Sequence, residues 1–160
     1  MISGKQLRVA SIPADRLVKP PAAVELASTF TVASTTLADV TGLTFALPGA
    51  GTWSFEFELL ITQATASSLV GLGINYTGTI TRIVYNVWMA STTTVLRYGS
   101  GTSNNFAVVD ATAHAAGGTL PARVAGSITV STSGTLALRA QRSAATTTIN
   151  AGSSGLLVQV

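Results

Sequence analysis

The chain has 160 residues, no cysteine and a single histidine, and only 9% of its residues are charged. That length suits one domain, and the missing cysteines exclude disulfides, thiolate zinc sites and cysteine nucleophiles. The net charge of +3 sits in the first nineteen residues, where Lys5, Arg8, Arg16 and Lys19 face Asp15 alone; the other five arginines balance five acids.

The first segment is read as an extended N-terminal attachment arm and linker, residues 1–23. It carries no aromatic residue, so its basic charge does not form a nucleic-acid-binding stripe, and no nucleic-acid partner is expected. Ile2, Leu7, Val9, Ile12, Leu17 and Val18 are too many apolar residues for a purely solvated tail. The predicted docking residues are Leu7, Arg8, Ile12, Arg16, Leu17 and Lys19. Pro20-Pro21 forces extended backbone and closes the arm. The start has no apolar signal-peptide core. The longest charge-free interior stretch, Leu59 to Thr81, is broken by Thr62, Gln63, Thr65, Ser67, Ser68 and Asn75. It falls short of the roughly 20 apolar residues of a spanning helix, so no membrane insertion is expected.

From Val24 to the end, residues 24–160 read as strand, turn, strand. Ser28–Val32 and Leu43–Leu47 come first. Thr52–Ile61 is the clearest strand: Trp53, Phe55, Phe57, Leu59 and Ile61 share one face, and Ser54, Glu56 and Glu58 the other. Leu69–Tyr76, Thr79–Met89, Thr94–Tyr98 and Ala107–Val109 follow. Within Leu69–Tyr76, Gly71 and Gly73 mark a bulge or a close backbone approach. Tyr85 and Trp88 fall on opposite faces, so one of the two belongs to the core. Ala111–Ala116 is the best helical stretch, cut short by Gly117-Gly118. Arg123–Ser131 and Leu136–Gln141, joined by Thr132-Ser133-Gly134, predict a hairpin. Leu156–Val160 closes the chain. The expected fold is an all-β jelly-roll sandwich of about eight to ten antiparallel strands.

The final strand carries a functional expectation. Leu156, Leu157, Val158 and Val160 alternate, so both faces need cover. One face packs in the sandwich, and a neighbouring subunit is the simple cover for the other. The low charge density agrees with an oligomer, because interface cores are depleted in charge.

Catalytic signals are weak. Glu56 and Glu58 lie roughly 6–7 Å apart by strand rise, a spacing that overlaps glycosidase carboxylates. They read as a solvent-facing pair. Asp110 and His114 lack a nucleophile elbow. No cofactor, metal site or catalytic residue is expected. The segment from Tyr98 to Phe106, with Asn104 and Asn105, is the best binding loop: polar, glycine-rich and flanked by aromatics.

Three stretches carry a resemblance. Leu37-Ala38-Asp39-Val40-Thr41-Gly42-Leu43-Thr44-Phe45 with Gly51-Thr52-Trp53-Ser54-Phe55-Glu56-Phe57 resembles the opening of a β-sandwich domain found in tailed-bacteriophage virion proteins. Ile149-Asn150-Ala151-Gly152-Ser153-Ser154-Gly155-Leu156-Leu157-Val158-Gln159-Val160 is similar to the way such domains end. Ile2-Ser3-Gly4-Lys5-Gln6-Leu7 and Ser11-Ile12-Pro13-Ala14-Asp15-Arg16-Leu17 resemble the attachment segments of phage tail-fibre proteins. The resemblance implies a homotrimeric jelly-roll head, similar to tumour-necrosis-factor-like heads. The arm would hold it to other virion proteins on the exterior of the virion. It assigns no receptor-binding residue. The chain has no shaft between arm and head, which keeps a capsid decoration protein open beside a tail fibre. Host-surface glycan is the expected ligand class for an adhesive head. The alternative from another class is a free-standing carbohydrate-binding β-sandwich protein.

Overall fold

The structure is a computed structural model, and it describes residues 20–64, 70–92, 95–109 and 117–160. The arm residues Leu7, Arg8, Ile12, Arg16, Leu17 and Lys19 lie outside the described residues, as do the Ala111–Ala116 stretch, Asp110 and His114. Twelve strands are described: β1 (Ala22–Glu25), β2 (Phe30–Val32), β3 (Ala38–Leu47), β4 (Gly51–Gln63), β5 (Val70–Tyr76), β6 (Ile80–Ala90), β7 (Leu96–Gly101), β8 (Val108–Val109), β9 (Thr119–Val130), β10 (Gly134–Arg142), β11 (Thr147–Ile149) and β12 (Ser154–Gln159). The count exceeds the expected one because β1 and β11 are too short to show alternation in sequence.

The pairing follows one rule. β1 pairs β12, β2 pairs β11, β3 pairs β10, β4 pairs β9, β5 pairs β8 and β6 pairs β7, all antiparallel. The chain is thus one long nested hairpin, rolled until it forms two sheets. The larger sheet runs β1-β12-β4-β9-β6-β7, with β11 and β2 continuing along the β12 edge of β4; the smaller runs β3-β10-β5-β8. Eight strands in the orders β1-β12-β4-β9 and β3-β10-β5-β8 make a jelly roll. The β6–β7 hairpin widens the larger sheet beyond those eight.

The predicted hairpin between Arg123–Ser131 and Leu136–Gln141 does not form. β9 belongs to the larger sheet, between β4 and β6, and β10 to the smaller, between β3 and β5. Thr132 to Gly134 is a crossing between sheets. It is held by the turn after β5: Ser131 N–H donates to the Thr79 carbonyl, Thr79 N–H to Thr132 Oγ1, and Tyr76 Oη–H to the Thr132 carbonyl. Alternation alone cannot separate a hairpin from a crossing, because both strands show the same period-2 pattern.

The core lies between the sheets. Phe45 of the smaller sheet meets Phe57 of the larger with ring centroids 5.7 Å apart, and Phe57 lies 6.2 Å from Phe55. Across the larger sheet, one inward row reads Leu157, Phe55, Gly126, Tyr85, Gly101. Glycines flank the buried Tyr85 because the ring needs their space. A Cβ on Gly101 would stand 2.2 Å from Tyr85 Cζ, and one on Gly126 2.3 Å from the Val84 carbonyl oxygen. β3 starts five residues before the predicted strand. Gly42, at φ +99°, lies in the bulge where the register against β10 slips, a conformation that favours glycine.

Candidate functional site

The outward face of the larger sheet carries the concentration of unusual side chains. Period-2 alternation sends Phe55, Phe57 and Leu59 of β4 inward, and therefore sends Ser54, Glu56, Glu58 and Leu60 outward. Register then assembles rows across the strands. One row reads Ala23, Leu156, Glu56, Ala125, Asn86 and Ser100; the next reads Glu25, Ser154, Glu58, Arg123, Trp88 and Tyr98. Val158, Ser54, Ser127 and Val84 form a third.

Arg123 is the hinge of this surface. Its Nη2 donates to Glu56 Oε2 at 2.5 Å and its Nε approaches Glu58 Oε1 at 3.0 Å. The guanidinium also lies over Trp88, 5.6 Å from the ring centroid. The hydrogen bond from Arg123 holds the Glu56 carboxyl below its ordinary range. Partial burial pushes Glu58 the other way, above its ordinary range, and the hydrogen bond with Glu56 adds to that. Both carboxylates serve one guanidinium on an open sheet face, which is an ion-pair network rather than an acid and a base aimed at a bond. Among the described residues no group of three or more His, Asp or Glu side chains could hold a metal, and no helix is long and apolar enough to cross a membrane.

Two shallow grooves flank Arg123. One, of about 460 Å³, lies over β1, β12 and β4 and is lined by Ala23, Glu25, Glu56, Glu58, Ser154 and Leu156 among others. The second, of about 510 Å³, lies over β4, β9 and β6 and is lined by Ser54, Arg82, Val84, Asn86, Trp88 and Arg123 among others.

The predicted interface strand divides. Leu156 is exposed and faces out, beside Glu56 and Ala23. Val158 faces out beside Ser54, and Val160 is exposed at the chain end. Leu157 does not belong with them: it is 3% exposed and packs in the core against Phe55, so it is unavailable to a partner. The reason is the strict alternation of β12, which sends neighbouring residues to opposite faces.

The predicted binding loop divides as well. Tyr98 is 84% exposed, on β7 directly across from Trp88. Asn104 is tied down: its Oδ1 accepts from Tyr76 N–H at 2.8 Å and its Nδ2 donates to the Tyr76 carbonyl at 3.1 Å. The side-chain amide thus stands in for a peptide group on the open edge of β5. Asn105, at φ +58°, donates its N–H to the Ile74 carbonyl and accepts from Arg139, which also pairs with Asp39 at 2.7 Å. The Phe106 carbonyl accepts from the buried Tyr85 hydroxyl at 2.6 Å, while the Phe106 residue stays half exposed. Of the two aromatics in Tyr85–Trp88, Tyr85 is the core residue and Trp88 faces out.

Sequence reasoning missed the roles of Arg123 and Asn86. In sequence Arg123 is only the first residue of a strand, since its partners come from β4 and β6. Asn86 accepts from Ser100 Oγ at 2.8 Å, a contact that required the β6–β7 register.

No protein-family model matches the chain, and no curated protein matches it. Among solved structures, it is similar to a structure of the infectious bursal disease virus Gx strain, at 12% identity and a TM-score of 0.26, covering 100% of this chain and 49% of that one. It is similar also to the VP2 subviral particle of infectious bursal disease virus, at 9% identity and a TM-score of 0.23, covering 94% of this chain and 45% of that one. The chain spans about half the length of these structures. The jelly-roll assignment rests on the nested strand pairing itself.

Proposed function

We propose that this chain is a structural protein of a tailed-phage virion. Its jelly-roll head is a homotrimer, and residues 1–23 anchor it to other virion proteins on the exterior of the particle. The observation that carries the reading is the outward face of the larger sheet. Leu156, Val158, Val84, Ala125 and Trp88 share one surface whose central charges are already paired with one another. Such a face suits the dry centre of an interface, where aromatics and arginine are favoured and unpaired charge is depleted. Three arms would anchor and three heads would present together, so avidity would replace single-site affinity.

Light scattering on a sizing column gives the native mass of the full chain. A mass of three chains is expected; a monomer at micromolar concentration overturns the reading. Because β1 begins at Ala22, inside the expected arm, the cut that spares the head falls earlier: deleting residues 1–19 should leave a folded head that no longer joins particles.

A free-standing carbohydrate-binding protein is the second reading. It is favoured by Tyr98 and Trp88, side by side on one face, next to the paired Asn86 and Ser100. It requires a monomer that binds a glycan and loses that binding with Tyr98→Ala.

A further inference from the structure

The described acids are Glu25, Asp39, Glu56 and Glu58, and all but Asp39 line the groove over β1, β12 and β4. Register sets them on one face: Glu25 and Glu58 flank Ser154, and Glu56 stands beside Leu156. No Lys or Arg occurs in β1, β12 or β4. Arg123 reaches Glu56 and Glu58 from β9, on the far side of β4. Glu25 is exposed and makes no ion pair among the described residues. The groove walls therefore carry unbalanced negative charge around two exposed apolar side chains, Ala23 and Leu156.

The complementary charge lies in the sequence before Pro20. Residues 1–19 hold four cations against one acid, and the stretch that meets Pro20 reads Arg16-Leu17-Val18-Lys19. Two apolar side chains between two cations match Ala23 and Leu156 set among three carboxylates. The same stretch leads directly into β1, a wall of the groove. Its own groove lies behind it. Ala22 pairs with Leu157 and Glu25 with Ser154, so the chain ahead of Ala22 heads past Leu157, away from Glu25 and Glu58. Pro20-Pro21 holds the backbone extended on that heading.

Resting on the reading that the head is a homotrimer, we propose that the arm root of each copy, through Arg16, Leu17 and Lys19, seats in the Ala23–Glu25–Leu156 groove of the next copy. Opposite charges meet, and Leu17 covers the outward Leu156. Each copy gives one arm root and receives another. A contact that joins two different patches, repeated around an axis, closes a ring. Leu7, Arg8 and Ile12, farther from the head, are left to reach the particle.

The absence of cysteine allows a direct test. The full chain carrying Leu17→Cys and Leu156→Cys, mildly oxidised, should run on a non-reducing gel as a covalent trimer. Leu17→Cys with Ala46→Cys, exposed on the smaller sheet, should not. A product one chain long with no free thiol puts the arm in its own groove and overturns the exchange. A product that stops at two chains overturns the ring. Free thiols in a double variant that still weighs three chains overturn the docking and leave the trimer standing. A wild-type monomer removes both. Ser154→Cys, between Glu25 and Glu58, replaces Leu156→Cys should that change lower the native mass. As a second arm, adding Lys19→Glu to the cross-linking pair should slow trimer formation about two- to fivefold at low salt, and Glu25→Lys should restore it. An unchanged rate, or no restoration, overturns the charge pairing.

Discussion

Tyr98 and Asn104 lie six positions apart in one glycine-rich polar stretch, yet the structure gives them opposite duties. Tyr98 projects from β7 with 84% of its surface free. Asn104 spends its amide on the backbone of Tyr76 and extends the edge of the smaller sheet. The difference is topological. Among the described residues β7 pairs only with β6 and leaves its outer edge open. The residues after Gly101 must return to the smaller sheet, and they cross beside β5, where unpaired backbone groups need partners. Polar, flexible-looking sequence can thus be surface or scaffold, depending on the edge it passes.

Several substitutions break or sharpen this contrast. The largest effect is expected at Gly73, where a Cβ would stand 2.5 Å from the Phe106 carbonyl oxygen. Gly73→Ala should push the crossing segment off β5 and cost about 3 kcal/mol in urea unfolding. Asn104→Ala should cost about 2 kcal/mol, because it strips partners from two backbone groups of Tyr76; in a chain of this size that lowers the melting temperature by roughly 4–8 °C. If Asn104→Ala unfolds like wild type, the segment is loop after all. Tyr85→Phe should cost about 1 kcal/mol by leaving the Phe106 carbonyl without its hydroxyl donor.

The ion-pair network gives a smaller, pH-dependent effect. Glu56 is held low, so its contribution is present above the ordinary carboxylate range and fades as pH falls through its lowered value. Glu58 is pushed up, so its contribution has the other sign: it favours folding at low pH and is lost as pH rises through its raised value. Glu56→Gln should therefore destabilise at pH 7, and Glu58→Gln should not. Both differences stay below about 1 kcal/mol, since the side chains are 36% and 54% exposed, and both should close in acid. Thermal unfolding from pH 3 to 8 checks the sign. The smallest stability effect is expected at Tyr98→Ser, within about 0.5 kcal/mol.

The sequence by itself determined the strands with long alternation. Thr52–Ile61 reads correctly because five inward apolar residues in a row leave only one face for Glu56 and Glu58. The close backbone approach at Gly73 is one of the two readings that a strand glycine offers, and the Phe106 carbonyl fills its space, whereas Gly71 faces the Gln141 side chain. The outward position of Leu156 and Val158 was half legible, since alternation says that two faces exist but not which one Leu157 takes. Tertiary structure alone decided the rest. It put β9 and β10 in different sheets, gathered Glu56, Glu58, Trp88 and Arg123 from three strands, and split the stretch from Tyr98 to Phe106. Period-2 patterning is a property of one strand and its local sterics. Which strand lies beside which is set by nested pairing across the whole chain, and no short window of sequence contains it.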